Sequence, residues 1–140
     1  MAQSSKILWQ WVFLVSFGTL VLLVLAHVLF VAFYAHLMDP AHDQAYYSAF
    51  AQNTGAPFVF FFAPLPIFLL TRWVGQKSPA QALVHAALIA LIYLLLDISI
   101  ATLADSAAML LKPAFVLTHA IKILAALLGG WSAKRKLALA

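Results

Sequence analysis

Residues 7–38 read ILWQWVFLVSFGTLVLLVLAHVLFVAFYAHLM and contain no Asp, Glu, Lys or Arg. A bilayer core of roughly 30 Å is crossed by about 20 predominantly apolar residues in an α-helix. At about 1.5 Å per residue this run exceeds that thickness, so it must tilt or protrude. It is also too long for the roughly 7–15-residue core of a cleaved signal peptide. The stretches 44–71 and 78–96 are free of charge in the same way. Helix formers run through all three, which leaves no room for the alternating strands of a membrane barrel.

The fold these runs predict is an all-α polytopic membrane protein. It is a single transmembrane domain, residues 1–140, built as a four-helix transmembrane bundle with spans at about 8–37, 56–74, 80–104 and 113–132. Composition excludes the alternatives. Of 140 residues 66% are hydrophobic and 9% charged, against about 25% charged in a soluble domain. The mean hydropathy is +1.02. There is no Cys for a disulfide-stapled secreted fold.

Local signals set the boundaries. Ser78-Pro79-Ala80-Gln81 places a capping Ser, a first-turn Pro and a Gln ahead of span three. Lys112-Pro113 opens span four similarly, and Gly129-Gly130 should weaken its exit. Pro64 and Pro66 predict a kink in span two. Between spans one and two, Asp39-Pro40 starts a segment with Tyr46, Tyr47 and Phe50. It reads as a short interfacial helix ending near Asn53-Thr54-Gly55. Trp9, Trp11, Trp73 and Trp131 read as anchors at the opposite surface.

Orientation follows from the basic residues. With the N-terminus inside, Lys6, Arg72, Lys77, Lys134, Arg135 and Lys136 are inner and only Lys112 is outer. Both termini are therefore expected in the cytoplasm. Asp39, Asp43 and Asp105 fall outside. The net charge of +4 reports this topology; with no basic soluble face, nucleic acid is not an expected partner. The partners expected are the bilayer and a second copy or larger membrane complex, with the Ala and Gly stripes as interfaces. The bias and the absence of a targeting peptide fit a bacterial inner (plasma) membrane.

The candidate site is the residue of polarity left inside the spans: Asp97, Lys122, His119 and His27. Ionisable groups in the membrane are costly and face partners or water. Counted from the span ends, all four lie in the outer half. In span three Ala86, Ala90, Tyr93, Asp97 and Ala101 share one face; in span four His119, Lys122, Ala126 and Gly130 do; in span one Ser16, His27 and Tyr34 do. Tyr34, Tyr93, Pro64 and Pro66 are candidate lining residues. His85, near the inner end of span three, is expected to reach the cytoplasmic interface.

Three functions compete for this cluster. An Asp97–Lys122 ion pair would fix helix registry in a non-enzymatic accessory or interaction component. A proton relay or anion site would suit a small, dimeric, proton-coupled transporter using Asp97, Lys122 and His119. Two His on different helices could hold a b-type haem, though no ligand spacing within a helix supports it and Lys122 opposes a cation; no metal or other cofactor is expected. Phosphate loops, GxSxG, HExxH and a Cys nucleophile are all missing, and the balance leans away from an enzyme. The first of these functions is the expected one.

Overall fold

The structure, a computed structural model, describes residues 6–103 and 110–138. Every regular element in these residues is helical. Helix α1 (Trp9–Phe33) continues through a π-helical turn, Tyr34–Met38, which closes when Asp39 N donates to Tyr34 O at 3.0 Å. Helix α2 (Gln44–Phe62) is capped by Asp43, whose side chain accepts from Tyr46 N at 2.9 Å. Then come α3 (Pro64–Lys77), a 3-10 turn (Pro79–Gln81), α4 (Ala82–Leu103) and α5 (Pro113–Ala138). The predicted end of span three at Ala104 and the outer Asp105 lie outside the described residues.

Three of these stretches are long and apolar enough to cross a membrane: Trp9–Met38, Pro79–Leu103 and Pro113–Arg135. The bent pair α2–α3 makes a fourth if it counts as one span. Their outward faces carry Leu29, Phe61 and Leu65, each more than 60% exposed, which is the surface expected of helices set in an apolar medium.

The second span departs from expectation. No separate surface helix ends at residues 53–55; α2 runs unbroken past Gly55 and Pro57 to Phe62. Thr54 stays helical by donating its hydroxyl back to Phe50 O at 2.8 Å, and Pro57 removes only one donor from the ladder. The break comes where two prolines act together. Pro64 and Pro66 deprive the carbonyls of Phe60 and Phe62 of their N–H partners, and the chain bends by 43°. Ala63 N to Val59 O and Ile67 N to Ala63 O, at 3.0 and 3.2 Å, hold the two sides of the bend. Replacing both prolines by Ala restores the missing donors and should straighten the pair. Spin labels at Gln44 and Gln76, both exposed, would then move apart; an unchanged distance would mean that packing, not proline, sets the bend.

Two smaller expectations also fail. Ser78 makes no side-chain cap, and the turn after it closes through Gln81 N to Ser78 O at 3.0 Å instead. Gly129-Gly130 do not loosen the end of α5, which continues to Ala138. They are contact points. A Cβ on Gly129 would lie 2.5 Å from Phe68 O of α3, and one on Gly130 would lie 2.7 Å from Ala82 O and 2.7 Å from the Ala86 Cβ of α4. Gly75 meets Ala133 and Ala82 as closely, at 2.8 and 3.1 Å. Small residues let helix backbones approach where packing must supply the attraction. The Ala86–Gly130 stripe, expected to be available to a second copy, is therefore spent within the chain.

The packing brings the start of α1 and the last turns of α5 to one end of the bundle, here the terminal end. Val12, Val15, Val74 and Ile89 form its core. Trp11 and Trp73 meet edge to face at 4.9 Å, and the Lys77 ammonium lies over both rings at 4.6 and 4.2 Å. Arg135 covers Trp131 at 3.9 Å. Towards the opposite, distal end, Leu20, Leu23, Ala63, Ile67, Tyr93, Ala125 and Ala126 form a second core. The candidate site lies beyond this second core, between α4 and α5 with α2 alongside.

Candidate functional site

One face of α4 carries Ala82, Ala86, Ile89 and Tyr93, all buried, and Asp97 follows one turn beyond Tyr93. The facing side of α5 buries Thr118, His119 and Lys122. Asp97 Oδ2 accepts from His119 Nε2 at 2.8 Å and from Lys122 Nζ at 3.1 Å. Lys122 also donates to the Tyr93 hydroxyl at 3.4 Å, with its ammonium 4.7 Å from the ring centre. The Lys122 side chain is 5% exposed and Asp97 27%, so the carboxylate is the wetter member.

Both ring nitrogens of His119 are engaged: Nδ1 lies 2.9 Å from the Phe115 carbonyl and Nε2 lies 2.8 Å from Asp97 Oδ2. A carboxyl and an imidazole at this separation are placed to pass a proton between them. Lys122 supplies the counter-charge of the carboxylate. Phe115 stacks on the imidazole at 4.0 Å and keeps the ring in place.

Two cavities meet at this cluster. One, of about 510 Å³, lies between α2, α4 and α5, with Gln52, Asn53 and Lys112 exposed along it and Asp97, His119 and Lys122 inside. The other, of about 150 Å³, lies towards α1 between Leu20, Leu23, Val24, His27 and Val28. Both are bordered by Val59, Asp97 and Lys122. The larger cavity therefore joins the cluster to exposed polar residues near the distal ends of α2 and α5.

Of the residues singled out from sequence, Asp97, His119, Lys122 and Tyr93 come together. His27 stands apart: its Nε2 pairs with Thr54 Oγ1 at 3.2 Å and its ring packs on Phe58 at 5.2 Å, although it borders the smaller cavity. Tyr34 is at the distal surface, donating to Asp39 Oδ2 at 3.3 Å and meeting Tyr46 at 3.4 Å. Pro64 and Pro66 make the bend and lie outside both cavities. His27 and His119 are not set for one haem iron, since both nitrogens of His119 are already engaged.

His85 does not reach the protein surface. It is fully buried, and its Nε2 accepts the Leu8 N–H at 2.9 Å. The segment leading into α1 lies over it and shields it. Its place four residues below Ile89 on the face that carries Tyr93 and Asp97 was the signal for burial. Depth along the span pointed the other way. Thr19, buried beside Lys122 and His119, had no sequence signal beyond its single step of three from Ser16.

The chain matches no protein-family model, no curated protein and no solved structure.

Proposed function

We propose that this is a small integral membrane protein of four spans, α2 and α3 together making one, with both termini cytoplasmic in a bacterial inner membrane. Its Asp97–His119–Lys122 cluster takes up and releases a proton through the distal cleft, as the ion-coupling site of a small transporter. The observation that carries this reading is a cavity of about 510 Å³ bordered by a carboxyl that meets an imidazole at 2.8 Å and an ammonium at 3.1 Å. A purely structural pair needs neither an approach from the surface nor a part-exposed carboxylate. Intramembrane ionisable groups that face a cavity mark ion or substrate pathways. The cluster is complete within one copy, so a dimer is not needed to build it.

Proton movement itself is the test, since no substrate has to be known. In proteoliposomes holding a pH-sensitive dye, a potassium diffusion potential should drive proton uptake through the wild-type protein. The Asp97→Asn/Lys122→Met variant, which removes both charges together, should reduce uptake to that of empty vesicles while keeping its helical signal. Wild-type uptake no faster than empty vesicles, or full uptake by the double variant, would sink the proposal.

A second reading rests on Oδ2 receiving both donors at once: the cluster also fixes the registry of α4 on α5. The two roles are separable, because one is read in flux and the other in stability.

A further inference from the structure

We infer that the terminal end of the bundle is a binding surface for anionic phospholipid, centred on Lys77 between Trp11 and Trp73. This rests on the membrane placement proposed above and is independent of the proton site. The first observation is a charge imbalance. The chain's four acidic side chains are Asp39, Asp43, Asp97 and Asp105. Asp39 and Asp43 stand at the distal end and Asp97 in the buried cluster, while Asp105 follows the distal end of α4 in the chain. Lys6, Arg72, Lys77, Lys134 and Arg135 belong to the terminal end, and all but the half-buried Arg72 are exposed. These cations share one rim with no carboxylate side chain among the described residues to balance them.

The fold then arranges part of this charge. Trp11 of α1 and Trp73 of α3 meet edge to face, and the Lys77 ammonium lies 4.6 and 4.2 Å from their ring centres. One helical turn separates Trp73 from Lys77, a spacing that brings the lysine onto the indole. Arg135 stands over Trp131 of α5 with the same spacing, at 3.9 Å. Helices α3 and α5 touch at this level, where a Cβ on Gly75 would lie 2.8 Å from the Ala133 Cβ. Trp73 is 42% exposed and Trp131 45%, so both indoles also meet the surroundings.

Ammonium, guanidinium and indole N–H groups all donate, and none of them accepts. A cation held on a ring face keeps N–H groups for an acceptor, and the ion pairs among the described residues include neither Lys77 nor Arg135. What this set lacks is negatively charged oxygen. A lipid phosphate supplies it at the headgroup depth that tryptophan prefers. A zwitterionic headgroup also brings a cation of its own, which the rim repels. A headgroup with net negative charge does not, and basic clusters at the cytoplasmic ends of spans are drawn to such lipids.

All four tryptophans, Trp9, Trp11, Trp73 and Trp131, lie towards this end, so their fluorescence reports which lipid covers it. The protein is reconstituted in phosphatidylcholine bilayers containing phosphatidylglycerol, with bromine, which quenches nearby indoles, on the acyl chains of one lipid or the other. Brominated phosphatidylglycerol should win the surface at low salt and lose its advantage in about 1 M sodium chloride, where charges are screened within roughly 3 Å. Lys77→Gln should cut the preference by roughly fivefold, the factor that one basic residue contributes at an anionic surface. Lys77→Gln/Arg135→Gln should abolish it, and Lys77→Arg should retain it. Both positions are exposed, and an unchanged helical signal will show that the variants fold.

Equal quenching of the wild type by the two brominated lipids would overturn the inference and leave the membrane placement standing. A loss as large from Lys112→Gln, at the distal end, would assign the preference to net charge and overturn it too. So would inorganic phosphate that relieves the quenching more than chloride of the same ionic strength, since free phosphate would then be the ligand. No quenching by either lipid would remove the membrane placement and this inference together.

Discussion

Replacing Gly129 and Gly130 together by Ala should destabilise the bundle by about 2 kcal/mol or more, even though Ala is the better helix former. Two effects oppose each other. Each Gly→Ala change in a helix interior gains up to about 1 kcal/mol from backbone entropy. Each new Cβ here meets a neighbour that cannot turn aside: the Phe68 carbonyl at 2.5 Å and the Ala82 carbonyl at 2.7 Å. Overpacking of this kind typically costs about 1–3 kcal/mol per site, and the upper part of that range applies because backbone has to move. Helix α5 would be lifted off α3 and α4 at once. Gly18 is the internal control, since a Cβ there has nothing within 4 Å; Gly18→Ala should hold or raise the melting temperature. Thermal unfolding in detergent micelles, followed by the helical circular dichroism signal, measures both. A Gly129→Ala/Gly130→Ala protein that melts with Gly18→Ala would show that the helices are not in close contact along this seam.

The same glycines mark where sequence reasoning reached its limit. A Gly pair near the end of an apolar run carries the signature of a fraying terminus and of a close crossing alike. Only the opposing backbone distinguishes them, and that backbone, at Phe68 and Ala82, is about 61 and 48 residues away by number. Gly55 posed the same ambiguity and resolved the same way: α2 continues through it and through Pro57, where its ladder loses one donor, and breaks where Pro64 and Pro66 remove two. What depends on local physics was readable. The long charge-free runs, the kink at the double proline and the inward faces bearing Asp97 and Lys122 follow from composition and the 3.6-residue period alone. What depends on three-dimensional neighbours was not. His27 shares depth with Asp97 and borders the same small cavity, yet its Nε2 pairs with Thr54 of α2. His85 has the depth of an interface residue and is covered by the approach to α1.

Asp97→Asn should be the most damaging single change in the cluster, and Lys122→Met in the same chain should restore much of the loss. The reasoning is one of uncompensated charge. In the wild type a single carboxylate oxygen meets both the buried ammonium and the His119 imidazole. Converting Asp97 to an amide leaves Lys122, 5% exposed, without a counter-charge. Breaking a buried pair from one side costs about 3–5 kcal/mol. Lys122→Met alone should cost less, because Asp97 retains His119 and its contact with the cleft. In Asp97→Asn/Lys122→Met no charge is stranded, and the new amide can donate to Nε2 of a neutral imidazole. An apolar Met of similar length fills the space of the lysine stem, and such swaps of a whole buried pair are often close to neutral. The order of melting temperatures should therefore be wild type and double variant high, Lys122→Met intermediate and Asp97→Asn lowest. If the double variant melts no higher than Asp97→Asn, the two residues are not coupled and the pair does not hold α4 to α5. If it recovers stability while proton uptake stays lost, the ion pair's contribution to the fold and the proton site's contribution to transport are read apart in one protein.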